Sequence, residues 1–176
     1  MKRISEEKVE GGKLIKIRSF YDQSKQKMLD VWLLAWTLCG LAIFSQVFIS
    51  EDNELRRMIL IFAAFWVYFE YMVVKAWRWR RGGEEQIFIG EEEIQYGRTY
   101  YNRGILKPYR KDLMNKVRTI SDEGTSFTRA FADSYWVIGG EQLAFTVNGK
   151  VIPFGMRLNA KEADRLMKLI NRELDS

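Results

Sequence analysis

The stretches VWLLAWTLCGLAIFSQVFI, residues 31–49, and MILIFAAFWVYFEYMVVKAW, residues 58–77, decide how this chain folds. At 1.5 Å of rise per residue each makes a helix about 30 Å long, the thickness of the hydrocarbon core of a bilayer. Ser50 to Arg57 join them, which is too short for anything but an antiparallel return. The expected structure is a retained membrane hairpin. A cleaved leader is disfavoured because acidic residues, with no small-residue cleavage pattern, follow Ile49.

Outside these runs the chain is strongly charged: 28 Lys and Arg against 23 Asp and Glu, net +5, in 176 residues. The length suits the hairpin plus one domain of about 100 residues. The only cysteine, Cys39, lies inside the first run, which rules out a disulfide framework or a thiolate metal site. Histidine is absent, and with it the commonest general base and metal ligand. No metal or other cofactor is expected.

Basic residues set the orientation. Lys2, Arg3, Lys8, Lys13, Lys16, Arg18, Lys25 and Lys27 precede the first run, and Lys75, Arg78, Arg80 and Arg81 close the second. The linker has only Arg56 and Arg57, set against Glu51, Asp52 and Glu54. By the positive-inside rule both termini are cytoplasmic and the linker external. Trp32, Trp36, Trp77 and Trp79 gather at the cytoplasmic ends, where indoles anchor helices at an interface.

Ala35, Cys39, Ala42 and Gln46 recur at helical spacing and form a small-residue stripe that another helix can approach closely. On the second run Ala63, Trp66, Glu70, Val73 and Trp77 share a face. Glu70 is the one ionisable group well inside the apolar core, so it must be protonated, pair or face protein. Thr37 lies at matching depth as a donor, and Asp30 and Lys75 fall near one boundary where they can pair. Ala35, Cys39, Ala42, Ala63, Trp66 and Glu70 are therefore candidate partner-docking residues. A Glu70 satisfied within the hairpin, or one used in proton or ion transfer, stays open beside that reading.

After Gly82-Gly83 the pattern changes to short alternating segments: Gln86 to Gly90, Glu93 to Tyr101, Ile105 to Tyr109, Asn115 to Ile120, Tyr135 to Ile138, Leu143 to Val147 and Lys150 to Phe154. Ile87, Ile89, Ile94 and Tyr96 are the expected inward positions. Asn148-Gly149 is a strong hairpin-turn signal because both residues tolerate positive φ. Asn159 and Glu162 read as a capping box, followed by Ala163, Leu166, Met167, Ile170 and Leu174 on one helical face. Expected units are an N-terminal arm, 1–28, in which Lys13 to Phe20 reads as an edge strand or an interfacial segment; the hairpin, 29–81; and an α+β domain, 84–176. The last is expected to hold six or seven antiparallel strands in a bent sandwich or barrel, capped by an amphipathic C-terminal helix.

From Glu93 to Leu174 the chain resembles the bacterial pleckstrin-homology-like domains. The carriers are Ile94-x-Tyr96, YRKDLMNKV at 109–117, and KVIPFGMRL at 150–158 followed by the helix. Two membrane helices ahead of such a domain are similar in layout to small bacterial membrane proteins and to the photosystem I assembly factor of cyanobacteria and plastids. The resemblance implies a multi-pass protein of the bacterial inner membrane with a binding or scaffolding role.

No catalytic constellation is present. Gly82-Gly83 and Gly139-Gly140 lack a phosphate-loop context, and Ser121, Ser126 and Ser134 have no histidine to activate them. Glu84-Glu85 and Glu91-Glu92-Glu93 read as solvated turns, since neighbouring strand side chains point to opposite faces. A basic set, Arg78, Arg80, Arg81, Arg103, Lys107, Arg110 and Lys111, is a candidate anionic-lipid surface. Nucleic-acid recognition motifs are absent.

Three functions remain: a non-catalytic accessory, scaffolding or assembly subunit of a larger membrane complex; a membrane-anchored sensor of anionic headgroups; and an oligomeric transporter or channel component using Glu70.

Overall fold

A computed structural model of the protein describes residues 3–120 and 134–174. Lys2, Ser121 and Ser126 lie outside the described residues. The chain divides into two compact units, one of Met1–Phe20, Trp79–Ser134 and Gly139–Ser176, the other of Tyr21–Arg78 and Tyr135–Ile138.

The second unit holds most of the helical pair, α1 (Gln23–Ile49) and α2 (Asn53–Gly82). Both helices outrun the apolar stretches because polar caps extend them. The Asp22 carboxylate accepts from the N–H groups of Ser24 and Lys25 at 3.0 and 3.1 Å, and Asp52 accepts from those of Glu54 and Leu55 at 2.8 and 3.4 Å. Helix α2 does not stop at Trp77 but runs through the basic turn to Gly82. Each helix is long and apolar enough to cross a membrane, with 18-residue windows of mean hydropathy 1.8 and 1.7. Only 6% and 11% of those windows are buried by the rest of the chain. A core helix of a soluble protein would be mostly covered.

The other unit is built from both sides of the hairpin. Strands β1 (Ile4–Val9) and β2 (Gly12–Arg18) precede it; β3 (Gly83–Ile89), β4 (Glu93–Tyr100), β5 (Lys107–Arg110), β6 (Arg118–Thr119), β7 (Glu141–Val147) and β8 (Lys150–Met156) follow, and α3 (Ala160–Leu174) ends it. Residues 4–18 are thus not a separate arm. Strand β2 pairs antiparallel with β3, with Ile15 opposite Ile87 and Ile17 opposite Glu85. Alternation in residues 13–18 puts Ile15 and Ile17 into the core, and burying two isoleucines outweighs leaving the segment at an interface.

The sheets are five-stranded, β1-β2-β3-β4-β5, and three-stranded, β6-β7-β8, all antiparallel. Among the described residues no named ladder joins them, so the expected barrel is not closed. They share one core instead: Ile15, Ile87, Ile94 and Tyr96 from the larger sheet meet Leu143, Phe145 and Phe154 from the smaller and Ala163, Leu166 and Ile170 from α3. Asn148 and Gly149 take φ of 49° and 77°, the turn expected between β7 and β8. The capping box at α3 forms reciprocally, Glu162 N–H to Asn159 Oδ1 at 2.8 Å and Asn159 N–H to Glu162 Oε2 at 3.0 Å.

Tyr135 to Ile138 is not a strand. The Tyr135 hydroxyl donates to Gln26 Oε1 at 3.0 Å, and Trp136 meets Trp32 edge-on at 4.7 Å. Polar-tipped aromatic rings find both apolar surface and a hydrogen-bond partner on the first turns of α1, which a ladder position does not offer. Asn115 to Ile120 shrinks to the two-residue β6.

Candidate functional site

The interior of the helical pair is set by three contacts. At its middle the Trp66 indole fills the space in which a Cβ on Gly40 would stand, so only glycine admits the ring there. Gly40 is the buried small residue of α1, and the periodicity of the apolar run hides it because glycine carries no hydropathy signal.

One turn along α2, Glu70 Oε1 lies 2.7 Å from Thr37 Oγ1, the pairing anticipated from depth. The same hydroxyl lies 2.7 Å from the Leu33 carbonyl oxygen, so its single hydrogen serves one acceptor at a time. Glu70 Oε2 and the indole N–H groups of Trp36 and Trp66 are enclosed without a partner among the described residues. Further along α2, the Trp77 indole donates to Asp30 Oδ1 at 2.6 Å and the Gln26 amide donates to the same oxygen at 3.0 Å. Asp30 is thereby engaged by Trp77 and Gln26, while Lys75 stays exposed.

The six candidate docking residues divide between two faces. Ala63, Trp66 and Glu70 are half-buried on the face of α2 turned toward α1. Ala35, Cys39 and Ala42 are exposed on α1, away from that seam. Helical spacing groups residues on one helix correctly, but it cannot say which side the neighbouring helix covers.

The basic residues are also dispersed. Arg80 is 2% exposed, which removes it from any surface. Arg110 forms a forked pair with Asp112 at 3.1 and 2.7 Å, and Lys111 donates to the Glu173 carbonyl at the end of α3 at 3.1 Å. Arg78, Arg81, Arg103 and Lys107 are exposed. Trp79 is no interfacial anchor either; it is buried and meets Tyr100 edge-on at 5.4 Å.

Glu85 is the polar residue that alternation makes legible and that the solvated-turn expectation missed. It lies on the inward face of β3 with Ile87 and Ile89, and is 1% exposed. Its carboxylate accepts from the Tyr96 hydroxyl at 2.7 Å and from the backbone N–H groups of Gly155 and Met156 at 2.9 and 2.8 Å. Gly155 and Arg157 have positive φ, 74° and 52°, and this irregular end of β8 aims two backbone donors inward. Burial raises the Glu85 carboxyl above the ordinary carboxylate range, against the lowering effect of its hydrogen bonds. Tyr96 is raised as well, by burial and by the adjacent carboxylate. Arg98 lies 3.9 Å from the Glu85 carboxylate and pairs with Glu141 at 2.8 Å, and among the described residues no group of His, Cys, Asp and Glu is arranged to hold a metal. Glu85 ties the two sheets together.

No protein-family model matches the chain, and no curated protein or solved structure matches it.

Proposed function

We propose that the protein is a non-catalytic accessory or scaffolding subunit of a larger membrane complex, anchored by α1 and α2 and carrying a pleckstrin-homology-like domain on the cytoplasmic side of the inner membrane. The observation that carries this reading is the exposed Ala35-Cys39-Ala42 face of α1. The seam with α2 takes up Glu70, Thr37 and Trp66, and leaves this close-approach surface for another helix. The distribution of Lys and Arg supports cytoplasmic termini. Two antiparallel sheets closed over by a C-terminal helix suit the pleckstrin-homology-like layout, and folds of that kind serve mainly to bind and position.

Extraction in a mild detergent followed by native electrophoresis and mass spectrometry tests the reading. The 20.8 kDa chain is expected in a band of much larger mass with a reproducible membrane partner. Recovery only as a lone monomer from native membranes contradicts it.

A further inference from the structure

The turn after β4 is strained, and its strain is held against the end of a membrane-crossing helix. Tyr101 and Asn102 both have positive φ, 49° and 61°, while Tyr100 and Arg103 exchange two backbone hydrogen bonds of 2.9 Å across them. Such a two-residue turn favours asparagine and glycine, and a tyrosine there carries a conformational penalty. Two contacts fix it. The Tyr101 N–H donates to the Gly82 carbonyl at 2.8 Å, which satisfies one of the free carbonyls at the end of α2. The Tyr101 ring also covers Gly82, where any Cβ would overlap it.

The pinned turn nevertheless presents apolar surface to the outside. Tyr101 is 67% exposed, and Ile105 is 84% exposed, the highest value among the large apolar side chains described. Arg103 and Lys107 alternate with them, exposed and without an ion pair among the described residues. Gly82 lies five residues beyond Trp77, about 8 Å of helical rise past the end of the continuous apolar run. The headgroup layer on each side of a bilayer is roughly 5–8 Å deep. A group seated on Gly82 is therefore at headgroup level if α2 spans.

We infer that the Tyr101–Ile105 turn is an interfacial anchor for the leaflet from which α2 emerges. Tyr101 and Ile105 sit among the headgroups, and Arg103 and Lys107 meet lipid phosphates. The strained turn sets where the aromatic ring stands relative to the helix end. This rests on the spanning of α1 and α2, and deepens the proposed function by naming how the β-unit is held at the surface.

The test uses the full chain with Cys39→Ser in vesicles of phosphatidylcholine and phosphatidylglycerol. An environment-sensitive fluorophore is placed on Ile105→Cys or, separately, on Ile43→Cys within α1. A headgroup spin-labelled lipid is expected to quench the probe at position 105 at least twofold, and a mid-chain spin label to quench the probe at 43. Adding Tyr101→Gly, which relieves the turn and removes the ring, is expected to halve quenching at 105 or reduce it further while circular dichroism is unchanged. Quenching at 43 with none at 105 overturns the anchor alone. Unchanged quenching at 105 in the glycine variant overturns the role of Tyr101. Absence of mid-chain quenching at 43 overturns the spanning reading and the anchor with it.

Discussion

The Trp66 indole occupies the space that a side chain on Gly40 would need, and this contact fixes how closely the two long helices pack. Gly40→Leu is expected to force the ring out and destabilise the helical pair by about 1–3 kcal/mol, the usual result of overpacking. Thermal unfolding in detergent micelles measures it. Combining Gly40→Leu with Trp66→Ala restores room at the contact, so the double variant is expected to lose less than the sum of the two single losses.

Thr37 stands 2.7 Å from both Glu70 Oε1 and the Leu33 carbonyl and has one hydrogen to give. In Glu70→Gln the amide donates to Thr37 Oγ1, leaving the hydroxyl hydrogen for Leu33. That variant is expected to unfold at or above the wild-type midpoint. Thr37→Val, which leaves Glu70 without this contact, is expected to cost about 1 kcal/mol. A larger loss from Glu70→Gln than from Thr37→Val contradicts the assignment.

The stability of the β-unit is expected to depend on pH through Glu85. Its carboxyl is raised in the folded state by burial, so between the ordinary carboxylate value and the raised one the native protein binds more protons than the unfolded chain. Stability from this group is greatest in acid and is lost as pH climbs through that window. Glu85→Gln keeps an acceptor for Gly155 and Met156, and its amide can donate to Tyr96 Oη, whose hydrogen is free to turn to the Pro153 carbonyl at 3.4 Å. Denaturant midpoints across weakly acid to neutral pH are expected to be flatter in Glu85→Gln than in wild type. Glu85→Ala orphans the N–H groups of Gly155 and Met156 and is expected to lose several kcal/mol, at about 1–3 kcal/mol for each unsatisfied group.

Filling the outer face of α1 tests docking without touching the seam. The triple variant Ala35→Leu, Cys39→Leu, Ala42→Leu keeps helix propensity and apolarity. It is expected to retain wild-type thermal stability in detergent while its high-mass band on native gels falls at least fivefold. Loss of stability equal to that of Gly40→Leu would place the stripe inside the protein's own packing.

Residues that act along one element were legible from the sequence. The runs at 31–49 and 58–77 became α1 and α2, Asn148-Gly149 became a turn, and Asn159 and Glu162 became a reciprocal cap. What stayed hidden depends on partners distant in the chain. Residues 13–18 carry enough alternation for a strand, yet their place beside β3 follows from a pairing across the whole helical insertion. Tyr135 looks like a strand residue until Gln26 is brought to its hydroxyl. Depth alone pairs Glu70 with Thr37, because two antiparallel helices leave one free parameter. The choice of which face of α1 meets α2 turned on Gly40, whose message is the absence of a side chain.

If the proposed function holds, the Ala35-Cys39-Ala42 face meets another protein within the membrane. A photo-crosslinking amino acid placed at position 39 and irradiated in native membranes tests it most directly, with Phe65, exposed on α2, as the comparison site. A discrete protein adduct of reproducible mass is expected from position 39, at least fivefold stronger than from position 65. Lipid adducts alone from position 39, or equal yields at the two sites, would contradict it.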